Sequence, residues 1–235
     1  MKTTAIVLAA GSGKRMGTTT KKQYLLLNEK PILYYSLKAF EESFIDEIVL
    51  VCSPEDISFV NEEIVKRFLI SKVSKIVPGG KERYDSVLCG LKAASPDTDY
   101  IFIHDGARPM VDEEMLKRGL DAVIKYDACV IGMPSKDTVK IASEDGFVSS
   151  TPSRNLVWNI QTPQIFKYSL IKEAYEDVIP RADALSEEGI KITDDAMVLE
   201  TYLGSKCRVK LVEGAYENIK VTTPEDLKLA EAFLS

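Results

Sequence analysis

Short apolar runs alternate along this chain with stretches whose apolar residues recur every three or four positions. The runs Thr4–Ala10, Glu47–Cys52, Val73–Val77, Tyr100–His104, Ala128–Met133 and Cys207–Val212 have the length and composition of buried strands. Between them Leu33, Leu37, Phe40 and Phe44 keep helical spacing. So do Ile57, Val60, Ile64 and Phe68, and again Tyr84, Val87, Leu88 and Leu91. Two helix starts carry a hydroxyl cap, a proline at the first position and acids in the first turn: Ser53-Pro54-Glu55-Asp56 and Thr223-Pro224-Glu225-Asp226. Strand–helix alternation of this kind predicts an α/β fold, a doubly wound and mostly parallel sheet with helices on both faces. Ligands of such sheets bind beyond the carboxyl ends of the strands.

The rhythm breaks across 134–152. Ser135 to Ile141 and Glu144-Asp145-Gly146-Phe147-Val148 alternate around an Asp-Gly pair, which predicts an inserted β-hairpin. The pattern leaves open whether it is an arm towards another subunit or a plain surface hairpin. The 235 residues otherwise suit a single domain, 1–235.

Charge narrows the function classes. The formal net charge is −6, from 30 basic and 36 acidic side chains, which argues against a general nucleic-acid binder. A polyanionic ligand must then be met by a local cluster of cations. Cys52, Cys89, Cys129 and Cys207 show no C-x-x-C spacing, and His104 is the only histidine, so neither a zinc site nor a disulfide framework is expected. The first apolar run is too short to span a membrane and lacks a leader's pattern. A cytoplasmic protein without membrane partners is expected.

The strongest chemical signal is Leu8-Ala9-Ala10-Gly11-Ser12-Gly13-Lys14-Arg15-Met16-Gly17, directly after the first strand. Small residues let the backbone approach phosphate oxygens closely. A P-loop is excluded because Leu8 stands where its first glycine belongs and Arg15 where its hydroxyl belongs. A dinucleotide fingerprint is excluded by Met16 at the third glycine. What remains is a glycine loop followed by the cations Lys14, Arg15, Lys21 and Lys22, suited to a nucleoside triphosphate that loses pyrophosphate. Tyr100–Ile103 leads into His104-Asp105-Gly106-Ala107-Arg108-Pro109, placing Asp105 at a sheet edge where a carboxylate can hold Mg²⁺ against phosphate oxygens. Arg108 is placed to meet a phosphate or a carboxylate. His104 is expected to be structural, since phosphate attack requires no general base. Gly79-Gly80-Lys81-Glu82-Arg83-Tyr84-Asp85-Ser86 forms a third turn, with Ser86 available to a base or ribose.

These segments, together with Lys22-Gln23-Tyr24, Asp137-Thr138-Val139-Lys140, Gln161-Thr162-Pro163-Gln164, Ile192-Thr193-Asp194 and Asn218-Ile219-Lys220-Val221-Thr222, resemble the 2-C-methyl-D-erythritol 4-phosphate cytidylyltransferase family of the non-mevalonate isoprenoid pathway. The resemblance runs over almost the whole chain. It implies a Rossmann-like fold of the nucleotide-diphospho-sugar transferase type, CTP as co-substrate, Mg²⁺, and a homodimer formed through the arm at 134–152. It assigns Arg15, Lys22, Arg154 and Lys220 to catalysis. Nucleotide binding falls to Ala9, Ala10, Gly11, Ser12, Gly13, Gly80, Lys81, Ser86, Asp105 and Gly106, with Asp105 near the metal. Polyol phosphate binding falls to Arg108, Thr138, Arg154, Thr162, Thr193 and Lys220. Without it, Lys220 reads as a solvent-facing strand residue, Thr193 as a helix cap and Arg154 as a surface arginine. Lys21, where the family often has proline, and Gly106, where it often has alanine, depart from the pattern. The rivals are a ribitol 5-phosphate cytidylyltransferase, a nicotinamide-dependent oxidoreductase and a catalytically silent nucleotide-binding protein. The oxidoreductase requires an acid ending the second strand, where this chain has Cys52-Ser53.

Overall fold

The computed structural model describes residues 1–11 and 20–234, so Ser12, Gly13, Lys14 and Arg15 lie outside the described residues. The chain begins with β1 (Thr3–Ala9), a small β2 (Leu26–Leu27) and β3 (Lys30–Pro31) ladder, α1 (Ile32–Glu41) and β4 (Glu47–Cys52). There follow α2 (Ile57–Val60), extended by a π-helical turn at Asn61–Lys66, then β5 (Val73–Pro78), α3 (Arg83–Ala93), β6 (Tyr100–Asp105), α4 (Glu113–Tyr126) and β7 (Ala128–Pro134). The remainder comprises β8 (Ile141–Ala142), β9 (Val148–Ser150), β10 (Trp158–Lys167), α5 (Tyr168–Val178), α6 (Ala182–Glu187), α7 (Asp195–Leu203), β11 (Lys210–Glu213) and α8 (Pro224–Leu234).

Seven strands form one sheet in the order β11-β7-β10-β6-β1-β4-β5, and every pairing is parallel except those of β10. Side chains alternate across it, as a pleat buried on both faces requires. Ala5, Val7 and Ala9 of β1 pack with Leu33, Leu37 and Phe40 of α1 and Met115 and Leu116 of α4. Ile6 points the other way, to Val87 and Leu91 of α3 and Tyr175 of α5. The doubly wound expectation holds, with one antiparallel strand near its middle.

That strand, β10, is the element the apolar pattern does not announce. Gln161, Thr162 and Gln164 interrupt its hydrophobicity, and Pro163 cannot donate to a ladder. The register breaks between Ile160 and Gln164, where no ladder bond is needed from the proline. The polar side chains are buried because each is hydrogen-bonded: Gln161 to Ala215, Thr162 to His104, Gln164 to Asp194. The last strand begins at Lys210 rather than Cys207, after a short 3₁₀ turn at Gly204–Lys206.

Between β7 and β10 the chain makes the expected hairpin, but Ser135–Lys140 are not strand; β8 pairs with β9 alone. Gly146 sits at φ 87° in the turn, a conformation glycine adopts without penalty. The two helix starts differ. Thr223 Oγ1 accepts the Asp226 N–H while the Asp226 carboxylate accepts those of Thr222 and Thr223, a reciprocal cap. Ser53 does not cap its helix; its hydroxyl donates instead to the Ala10 carbonyl. Among the described residues no helix is long and apolar enough to cross a membrane, and all four cysteines are free thiols.

Candidate active site

The carboxyl ends of β1 and β6 and the turn before α3 surround a cavity of about 360 Å³, within the size range of small-ligand sites. Ala9, Ala10 and Gly11 line one side, and Gly80, Lys81 and Ser86 another. Ser86 Oγ accepts the Gly80 N–H at 3.1 Å and donates to the Glu82 carbonyl at 3.2 Å, which folds the turn back on itself. Gly79 makes the approach of the two loops possible: a Cβ there would lie 2.6 Å from Ala10 Cβ and 2.8 Å from Ser86 Oγ.

The lining carries Lys22, Lys81, Arg83 and Lys220 against Asp105 and Glu82. A chain of net charge −6 has therefore concentrated cations where its sequence places a phosphate loop. Asp105 lies between two of them, 3.1 Å from Arg83 Nε and 2.7 Å from Lys220 Nζ. Burial pushes its carboxyl up, but Arg83 and Lys220 outweigh burial and hold it well below the usual carboxylate range. Lys220 is no strand residue. The Val221 N–H donates to the Ala107 carbonyl at 2.9 Å, and that bond brings Lys220 over the end of β6.

Arg83 is a site residue that sequence reasoning passed over, although it lies inside the Gly79–Ser86 turn. Its Nη atoms grip Asp195 bidentately at 2.7 and 2.9 Å, and Tyr175 Oη donates to the same carboxylate at 2.6 Å. Burial disfavours the guanidinium charge, yet Asp195 and Asp105 outweigh it and keep Arg83 firmly protonated. Two acids with a cation between them, one fully buried, fix the pose of both Arg83 and Asp105.

The remaining expected residues fall into three groups. Lys22 lines the cavity, whereas Lys21 is turned away to Glu55 and Asp56 at 2.6 and 2.7 Å, so it anchors the Lys22 turn instead of adding to the phosphate cluster. Gly106, Arg108 and Thr162 stand behind the wall. A Cβ on Gly106 would meet Leu33 Cδ1 at 2.7 Å, Arg108 Nη1 donates to the Asn218 carbonyl at 2.7 Å, and Thr162 Oγ1 accepts the Asp105 N–H at 3.1 Å. Thr138, Arg154 and Thr193 are exposed and outside the cavity of the single chain. The cap beside Thr193 is Asp194, which accepts the Met197 N–H at 2.9 Å.

Asp105 stands where a carboxylate can donate to a divalent cation. Among the described residues no cluster of three or more acidic, histidine or cysteine side chains exists to hold a metal unaided. Asp105 with the oxygens of a bound triphosphate matches the way Mg²⁺ is usually held, by one or two carboxylates plus phosphates.

His104 is structural, as its sequence context implies. It is fully buried under the site, with Nδ1 3.1 Å from Thr162 Oγ1 and Nε2 3.1 Å from the Arg108 carbonyl. Burial lowers its pKa to about 4, against about 6.5 in an unfolded chain. The unfolded state then binds a proton that the folded state refuses, so the contribution is complete above pH 6.5 and is lost as pH falls towards 4. Chemical denaturation should show about 2 kcal/mol lost between pH 7 and pH 5, with the loss absent in His104→Gln. Equal pH slopes for the two proteins would contradict it.

The family model described as 2-C-methyl-D-erythritol 4-phosphate cytidylyltransferase matches residues 3–235. The chain belongs to that family. A relative bearing that name in Lachnoclostridium phytofermentans is 50% identical over 233 residues, which is 99% of this chain and 96% of the relative. A solved 4-diphosphocytidyl-2C-methyl-D-erythritol synthase of Anaerococcus prevotii superposes with a TM-score of 0.84 at 36% identity, covering 99% of this chain and 96% of the other. The Thermus thermophilus cytidylyltransferase does so with 0.73 at 28%, covering 99% and 98%.

Proposed function

We propose that this chain transfers CMP from CTP to 2-C-methyl-D-erythritol 4-phosphate, giving 4-diphosphocytidyl-2-C-methyl-D-erythritol and pyrophosphate. The observation that carries the reading is Asp105 held ionised between Arg83 and Lys220 beside the glycine loop. An oxygen of the acceptor's phosphate bonds to the α-phosphorus of CTP, and the bond from that phosphorus to the oxygen bridging to the β-phosphate breaks. Pyrophosphate departs with the electron pair, and no proton need move.

The first barrier is repulsion between two anions, and cations from different elements lower it. This reading assigns Lys22 and Arg15 to the triphosphate and Lys220 and Arg154 to the acceptor's phosphate, Arg154 with a fork suited to two of its oxygens. Gly80 and Ser86 define the nucleoside end of the cavity. Mg²⁺, held by Asp105 and the phosphates, would neutralise charge on the leaving group.

Thr138 lies within the arm and Arg154 just beyond it, both outside the cavity, and the arm bares large apolar side chains to solvent: Phe147 is 72% and Val148 63% exposed. A two-stranded hairpin of this kind is not stable alone and is covered when it packs against a second copy. The functional unit in this reading is a homodimer whose arm brings Arg154 and Thr138 to the partner's cavity. Free thiols suit a cytosolic setting.

The test is pyrophosphate release from CTP and Mg²⁺ by purified protein, with 2-C-methyl-D-erythritol 4-phosphate or ribitol 5-phosphate as acceptor. Release with the first and not the second is expected. Turnover with ribitol 5-phosphate alone would keep the reaction and change the substrate. No turnover with either would remove the enzymatic reading.

A further inference from the structure

The three carbonyls that leave the end of β1 in succession are all held by side chains from elsewhere in the fold. Gln23 Nε2 donates to the Ala9 carbonyl at 2.6 Å and to the Gly11 carbonyl at 3.2 Å, and Ser53 Oγ donates to the Ala10 carbonyl at 3.2 Å. A trans peptide plane directs its N–H opposite to its carbonyl. Fixing the carbonyls of Ala9 and Ala10 therefore fixes the directions of the Ala10 and Gly11 N–H groups, and both residues line the cavity.

Gln23 does this from the residue next to Lys22. It is 2% exposed and sits in the 3₁₀ turn Lys22–Tyr24. The same turn is bolted on its other side, where Lys21 meets Glu55 and Asp56 and Tyr24 Oη donates to Asp56 at 3.0 Å. Three neighbours of the Lys22 backbone are thus anchored, two to the segment after β4 and one to the glycine loop. Both amide hydrogens of Gln23 are spent on loop carbonyls, so the side chain has no donor left for a ligand.

We propose that Gln23, seconded by Ser53, is a positioning residue for pyrophosphate departure: it locks the Lys22 turn to the segment Ala9–Gly11 so that the ammonium and the Ala10 and Gly11 N–H groups meet the triphosphate as one rigid unit. The proposal rests on the reading of the cavity as the CTP site. Its consequence is a division of labour. Loss of Gln23 should act on the step in which charge grows on the leaving group, and leave binding of the polyol phosphate alone.

Two substitutions test it. Gln23→Met keeps the volume and burial but removes both donors; kcat should fall about 100-fold, the usual result of an ångström-scale misplacement, while KM for the polyol phosphate stays within about twofold of wild type. Gln23→Glu faces two carbonyl oxygens with no donor when ionised and regains one when protonated. Its kcat relative to wild type should climb as pH falls, by about tenfold per pH unit while the carboxylate form predominates. Melting temperatures of all three proteins correct for any unfolded fraction. A Gln23→Met kcat within a few-fold of wild type, a Gln23→Glu ratio flat with pH, or a rise confined to the KM for the polyol phosphate would each overturn the positioning role. Calorimetric titration of wild type with CTP separates this from failure of the parent reading: wild-type protein that neither binds nor turns over CTP would remove the site itself, and the role of Gln23 with it.

Discussion

Asp105→Asn should lower kcat by about 10²–10³-fold, the range found when a group that stabilises developing charge is removed. The amide keeps the shape of the side chain and its backbone bond to Thr162, so the effect isolates charge. Without the carboxylate, Arg83 and Lys220 lose the anion between them, 3.1 and 2.7 Å away, and a divalent cation would lose the protein ligand proposed for it. Thermal unfolding at pH 7 should also move down, because two partly buried cations are left with less compensation. Pyrophosphate release at saturating CTP and acceptor, measured across a Mg²⁺ series, reads the first effect. If Asp105→Asn turned over within tenfold of wild type, the carboxylate would be a packing partner and the site would have to be sought elsewhere.

Arg154→Ala and Lys220→Ala should each cost about 10²-fold in kcat/KM for the polyol phosphate, as expected for one charge-assisted contact to its phosphate. The two residues lie far apart in character: Lys220 is against Asp105, whereas Arg154 is exposed by the arm and donates to the Lys136 carbonyl at 3.3 Å. If the arm of one subunit completes the cavity of the other, an equal mixture of the two impaired variants, refolded together, regains intact sites. Random pairing makes half of the dimers mixed, and each mixed dimer has one site with both native residues, so about a quarter of the sites recover. Separately purified and mixed without exchange, the variants should stay impaired. Recovery absent after proven exchange would place both residues on the same subunit's site, or leave Arg154 out of it.

Much of this architecture could be read before any coordinates, for physical reasons that differ by element. The inner strands of the parallel half, β1, β4 and β6, are largely apolar runs because both faces are buried, and runs such as Glu47–Cys52 begin and end where the pattern says. The glycine loop announced itself through residue type, since close backbone approach needs small side chains. What escaped is what depends on tertiary partners. β10 was hidden because its polar residues are satisfied by His104, Asp194 and Ala215, which no local pattern reveals. Arg83 was hidden because its meaning comes from Asp195, 112 positions away. Ser53 looked like a cap and serves the glycine loop, and Lys21 looked like a phosphate cation and serves as an anchor. In each case the side chain's chemistry was read correctly and its partner was not.

The late antiparallel strand also sets a timetable for synthesis. β1, β4, β5 and β6 are complete once residue 105 has been made, and they are mutual neighbours in the sheet. The free edge of β6, however, pairs with β10, with Tyr100 opposite Lys167. A growing chain must therefore carry half a sheet with the β6 edge bare until some sixty further residues, the hairpin included, have left the ribosome, and only then can β7 and β11 be joined to the rest.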